Sequence, residues 1–78
     1  MLQMILPQNT ERVALLTERE TQVIALRRQG KMVSTIADEL CISRHTVRGH
    51  YVRIREKLQV PDILSAVLLV EVVAMRRQ

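Results

Sequence analysis

The chain has no tryptophan, no phenylalanine and a single tyrosine, Tyr51. Without aromatic faces there is no platform on which unstacked bases could stack, which weighs against single-strand and RNA-binding modules. Cysteine is as scarce: Cys41 alone cannot close an internal disulfide. Together with His45 and His50, the only histidines, it lacks the paired spacing of a structural zinc site. No metal or other cofactor is expected, and the compartment is expected to be reducing. Long apolar runs are missing as well. Residues 63–75 are interrupted by Ser65 and Glu71 and fall short of the roughly 20 residues that span a bilayer. The largely apolar start, residues 1–6, carries no basic leader and is followed at once by Pro7, so a secretory signal is not expected. These absences point to a cytoplasmic protein with no membrane partner. No stretch shows sustained alternation of apolar and polar residues, and there is no repeat, so the fold class is all-α. Neither histidine stands with a nucleophile and a base, which argues against an enzyme.

What is present is a 78-residue chain, 47% hydrophobic and 26% charged, suited to one small globular domain. A domain of this size buries only about 60% of its unfolded surface and is often helped by oligomerisation. Caps and periodicity mark four helices. Thr17 followed by Glu20 forms a capping box that opens a helix running to Gln29, where Gly30 suits a left-handed C-terminal cap; Val23, Ile24 and Leu26 form its apolar side. A short helix lies around residues 34–40, with Ile36, Ala37 and Leu40 inward. Cys41 and Ile42 break the chain, and Ser43 is placed to cap the next helix, residues 43–58. At 100° per residue Val47, Tyr51, Ile54 and Leu58 fall within about 40° of one direction, a narrow core stripe. Pro61 and Asp62 start the last helix, residues 62–77, which is apolar almost all round. One buried face cannot absorb all of it, so its surplus face needs a partner. Residues 1–15 read as an N-terminal extension in which 10–15 can form a further helical turn, and the leading segment either packs on the surface or frays. Residues 16–78 form the domain.

Charge is concentrated rather than spread. Residues 43–58 hold Arg44, Arg48, Arg53, Arg55 and Lys57 against one acid, Glu56, a net +4 that equals the charge of the whole chain. A basic excess confined to one helix is the footprint of a segment that meets phosphates. On the side away from the core stripe lie His45, Gly49, Val52 and Glu56, with Arg48 on one shoulder and Arg53 on the other. Gly49 inside a helix costs about 1 kcal/mol relative to Ala. Two explanations stand side by side: close approach to a partner, or neutral drift at a solvated position.

Two short helices joined by a tight turn, the second one basic, form the helix-turn-helix pattern. The residues carry it further. Leu16-Thr17-Glu18-Arg19-Glu20, Gln29-Gly30, Ile36-Ala37-Asp38-Glu39-Leu40, Ile42-Ser43, Thr46-Val47-Arg48-Gly49-His50, then Ile54 and Lys57-Leu58, closely resemble the LuxR-type (GerE-like) DNA-binding domain of bacterial transcription regulators. The resemblance implies a four-helix domain whose third helix enters the major groove of double-stranded DNA. It places His45, Arg48, Gly49 and Val52 at base-reading positions. Ser43, Arg44, Thr46, Arg53 and Lys57 fall at phosphate positions. The chemistry agrees, since Arg pairs bidentately with guanine O6 and N7 and Val52 can cover a thymine methyl. The resemblance also makes the last helix a dimerisation helix, with Ile63, Val67, Val70 and Val73 expected to meet the second subunit of a homodimer on an imperfect inverted repeat. RNA polymerase or another regulator would be a further partner. A receiver or sensor domain has no room in 78 residues, and a fragment of a longer regulator would look the same.

Some positions depart from that family's pattern. Where the second helix commonly has a Ser or Thr cap and a phosphate-binding Lys, this chain has Met32 and Ser34. Either Ser34 caps a shortened helix, or Lys31 supplies the cation from the preceding loop. Cys41 stands where the turn usually has Gly, at a position expected to need positive φ, and Arg27 occupies a normally apolar site. Two alternatives to a DNA-binding regulator remain. A sigma-factor region-four-like domain shares the plan, although the Thr46-Val47-Arg48 start followed by His50 fits the LuxR register better. A protein-interaction adaptor would keep the fold and dock through the 62–77 helix; binding to nonspecific duplex, lost steeply as salt rises, separates it from a DNA binder.

Overall fold

The computed structural model describes residues 7–76, which form five helices and no strand. The expectations for residues 1–6 and for Arg77 fall outside the described residues. The helices are α1 (Pro7–Ala14), α2 (Glu18–Arg28), α3 (Val33–Leu40), α4 (Arg44–Leu58) and α5 (Ile63–Arg76). The all-α class holds, and the four helices marked from the sequence are α2 to α5. The added helix, α1, reaches further than the turn expected at 10–15. Pro7 opens it at a position where a missing N–H is no loss. Val13 ties it to the core, and it packs on α4 and α5.

The core takes side chains from four helices: Val23 and Ile24 of α2, Ile36 and Ala37 of α3, Val47, Ile54 and Leu58 of α4, and Ala66, Leu69 and Val73 of α5. Full burial of each larger one is worth about 1.5–3 kcal/mol relative to exposure. Leu26, Leu40 and Tyr51 pack at the edge of this cluster, half-buried. Helix α4 is the central element and touches all four others. Its inward stripe is thereby filled along its length, and its opposite side is left to solvent.

Helix ends follow local chemistry. Both halves of the capping box on α2 are present: Glu20 N–H donates to Thr17 Oγ1 at 3.1 Å and Thr17 N–H to Glu20 Oε1 at 2.9 Å. On α4, Ser43 Oγ accepts the Thr46 N–H at 3.0 Å. Asp62 sits just ahead of α5 rather than in its first turn, and its Oδ1 accepts the Ser65 N–H at 2.7 Å. Helix α3 is the exception. It begins at Val33 after Met32, which has no side-chain oxygen, so Ser34 lies inside the helix and is not its cap.

Three helices end on a residue with positive φ: Gly30 at 89°, Cys41 at 57° and Gln59 at 58°. Each end returns at least two N–H groups to the last turn, as in Ile42 N–H to Ala37 O at 3.0 Å and Val60 N–H to Arg55 O at 3.1 Å. The left-handed conformation costs a non-glycine residue about 1–2 kcal/mol, so Cys41 and Gln59 both carry strain that Gly30 avoids. At Cys41 this is the strain expected from the sequence. The tight turn it makes sets α3 against α4 as a helix-turn-helix unit.

Candidate nucleic-acid interface

The side of α4 away from the core gathers the base-reading candidates. His45, Arg48 and Val52 are exposed and Gly49 is half-exposed. A Cβ built on Gly49 would meet only the Arg53 guanidinium, at 3.7 and 3.9 Å, which is ordinary contact. Nothing among the described residues requires glycine there. Arg44 and Arg48 are both exposed and neither has an ion-pair or hydrogen-bond partner among the described residues. Their full charge faces solvent. At the start of the helix Ser43 Oγ and Thr46 Oγ1 lie 2.9 Å apart. One hydroxyl hydrogen is shared between them, which leaves the other for an outside acceptor.

The opposite flank is arranged differently. Lys57 Nζ lies 2.6 Å from Glu20 Oε1, and Arg53 Nε lies 3.7 Å from Glu20 Oε2. The Glu20 side chain is only 3% exposed, against 52% for Arg53 and 30% for Lys57. Burial pushes the Glu20 carboxyl up, but hydrogen bonds from Lys57 and the Thr17 backbone, with the Lys57 charge, outweigh it and hold the group below its ordinary value. Glu20 is therefore ionised. Arg53 also donates to His50 Nδ1 at 3.1 Å. Burial, with the Arg53 and Arg19 charges, holds His50 below its ordinary value against the pull of Glu20, so the ring is neutral and accepts that bond. In the sequence Arg53 and Lys57 stand out as phosphate candidates, and Glu20 only as part of a cap. No local spacing signals a contact between residues 37 positions apart.

Two further basic residues turn out to serve other tasks. Arg55 donates to the Tyr51 and Pro61 carbonyls at 3.4 and 3.5 Å, which fastens α4 to the turn before α5. Lys31, considered as a replacement cation for α3, pairs with Glu39 at 2.7 Å. Arg27 is half-buried, and its charge offsets part of the burial effect that raises the Tyr51 hydroxyl above its ordinary value.

The last helix removes Val73 from the expected pairing face. Val73 is 2% exposed and belongs to the core, while Ile63, Val67 and Val70 are half-buried against it. The apolar side chains that α5 leaves open are Leu64, Leu68 and Met75, at 61%, 48% and 70% exposure. At 100° per residue they fall within about 40° of one another, a single outward stripe. Helical phase alone does not separate this open stripe from the covered one, because what covers α5 is the packing of α1, α2 and α4 against it. Among the described residues no single helix is long and apolar enough to cross a membrane, and no group of three or more His, Cys, Asp or Glu side chains is placed to hold a metal.

The sequence profile of the bacterial regulatory proteins, luxR family, matches residues 14–70, which takes in α2, α3, α4 and most of α5. The chain belongs to the luxR family. That family is one of transcription regulators rather than enzymes. The chain is similar to the transcriptional regulatory protein DesR of Bacillus subtilis (strain 168), 42% identical over 52 residues, which are 67% of this chain and 26% of DesR. It is also similar to the spore germination protein GerE of the same organism, 44% identical over 54 residues, 69% of this chain and 73% of GerE. The aligned part thus spans about a quarter of one luxR-family relative and nearly three quarters of the other. No solved structure matches the chain. Apart from Ala14, α1 lies outside the family match.

Proposed function

We propose that this luxR-family chain is a sequence-specific regulator that lays α4 in the major groove of duplex DNA. His45, Arg48, Gly49 and Val52 meet base edges; Ser43, Arg44, Thr46, Arg53 and Lys57 meet phosphates. The observation that carries this reading is the solvent face of α4, where Arg44 and Arg48, unpaired among the described residues, stand beside a glycine that no contact among those residues requires. The helix has 15 residues, about 22 Å, enough to lie along the groove while its core stripe stays seated on the other helices. Two copies pair through the Leu64, Leu68 and Met75 stripe, which places two α4 helices on half-sites of an imperfect inverted repeat about 10 bp apart. Such a protein acts in the cytoplasm, where the duplex is, and an RNA polymerase or another regulator is its further partner.

A titration of fluorescently labelled random-sequence duplex, repeated over a series of salt concentrations, tests the binding step. The reading expects affinity to fall linearly on a log–log plot, steeply enough to report several phosphate contacts. Binding that is absent at low salt, or insensitive to salt, would exclude it and favour a protein-docking role for the fold.

A further inference from the structure

Glu20 does more than its cap requires. A capping box needs an acceptor at that position and takes Gln as well as Glu. The charge is thus surplus to the cap, and it is expensive, because an ionised carboxylate at 3% exposure must be paired to be tolerated. Its partners are Lys57 at 2.6 Å and Arg53 at 3.7 Å, two side chains of the phosphate-facing flank of α4. His50, hydrogen-bonded to Arg53 and neutral, adds no charge. The other flank has no such anion: Arg44 and Arg48 stand unpaired among the described residues. One helix thus offers DNA two unequal edges.

The geometry points to Glu20 as a positioning residue that sets the charge of the Arg53–Lys57 flank and so holds back the affinity of the protein for any duplex. The inference rests on the phosphate role of Arg53 and Lys57. Its physical basis is competition. While Lys57 neutralises Glu20 it contributes less than a full charge to a phosphate, and fewer counterions leave the DNA on binding. Base reading by Arg48 and Val52 is untouched, so this edge is restrained where contact carries no sequence information.

The test uses the full chain and a random-sequence duplex. Glu20→Gln keeps an acceptor for the Thr17 N–H and removes the charge. It is expected to bind about five- to tenfold tighter at roughly 0.1 M salt, with the salt slope steeper by close to 0.9. Unchanged or weaker binding by a variant that keeps its helical circular dichroism would overturn the inference. If Glu20→Gln does not fold, Lys57→Gln and Arg44→Gln decide instead: the Lys57 change should flatten the slope by less than half as much as the Arg44 change, and equal flattening overturns the inference. A wild-type chain without salt-dependent binding is a different failure. It would remove the phosphate reading, and this inference with it.

Discussion

Arg48 and Lys57 share a helix but not an environment. Arg48 is exposed and unpaired among the described residues, whereas Lys57 rests on a buried carboxylate, so the two should behave differently when removed. Arg48→Ala is expected to cost about 1–3 kcal/mol on the preferred duplex and clearly less on random duplex, measured by competition titration. Equal losses on both would deny it a base-reading role. Gly49 supplies a complementary case. Because a Cβ there meets only ordinary contacts, Gly49→Ala should raise thermal stability by about 1 kcal/mol through helix propensity. If the groove approaches α4 closely, the same change should weaken specific binding; a variant that melts higher and binds equally well would favour drift. At this scale helical phase was readable from residue spacing alone, which is why Val47, Ile54 and Leu58 are buried as expected. The Glu20 cluster was not readable, since it joins residues far apart in sequence.

The helices were legible where their ends carry local chemistry. Thr17, Ser43 and Gly30 each satisfy backbone groups within a few residues, and the structure places all three as the sequence implies. Helix α1 was underestimated for the converse reason. PQNTERVA offers only Val13 and Ala14 as apolar residues, and its stability comes from packing on α4 and α5 rather than from its own pattern. The joint between α2 and α4 predicts an acid response. The folded Glu20 carboxyl lies below its ordinary value of 4.5, so its contribution is complete above that value and is lost as pH falls through the folded one. The thermal midpoint should therefore drop as pH is lowered below about 4.5. Glu20→Gln should shrink that drop without abolishing it, because Asp62, lowered chiefly by the Ser65 backbone N–H, acts with the same sign. His50, also held low, adds a loss of the same sign below its ordinary 6.5. A wild-type midpoint that is flat from neutral pH into this acid range would contradict the Glu20–Lys57 joint.

For the molecule as a whole, the net charge of +4 sits in the window that contains α4, and among the described residues the largest cluster of exposed apolar side chains on one helix sits on α5. In the proposed function the α4 surface is the one that meets DNA and the open α5 stripe the one that meets a second copy. That α5 is only partly covered was visible in its composition; which stripe stays open depended on how α1 and α2 pack around it. Leu68→Glu, with Leu64→Glu as a second variant, should abolish cooperative occupation of paired half-sites while leaving circular dichroism and single-half-site binding intact. Cooperative binding retained by both variants would move the pairing surface elsewhere. The most direct measurement is selection of bound fragments from a random duplex pool, followed by sequencing of what the chain retains. The account predicts enrichment of an imperfect inverted repeat with half-sites about 10 bp apart, each containing a guanine whose replacement is tolerated better by Arg48→Ala than by the wild type. A retained pool no different from the starting pool would contradict it.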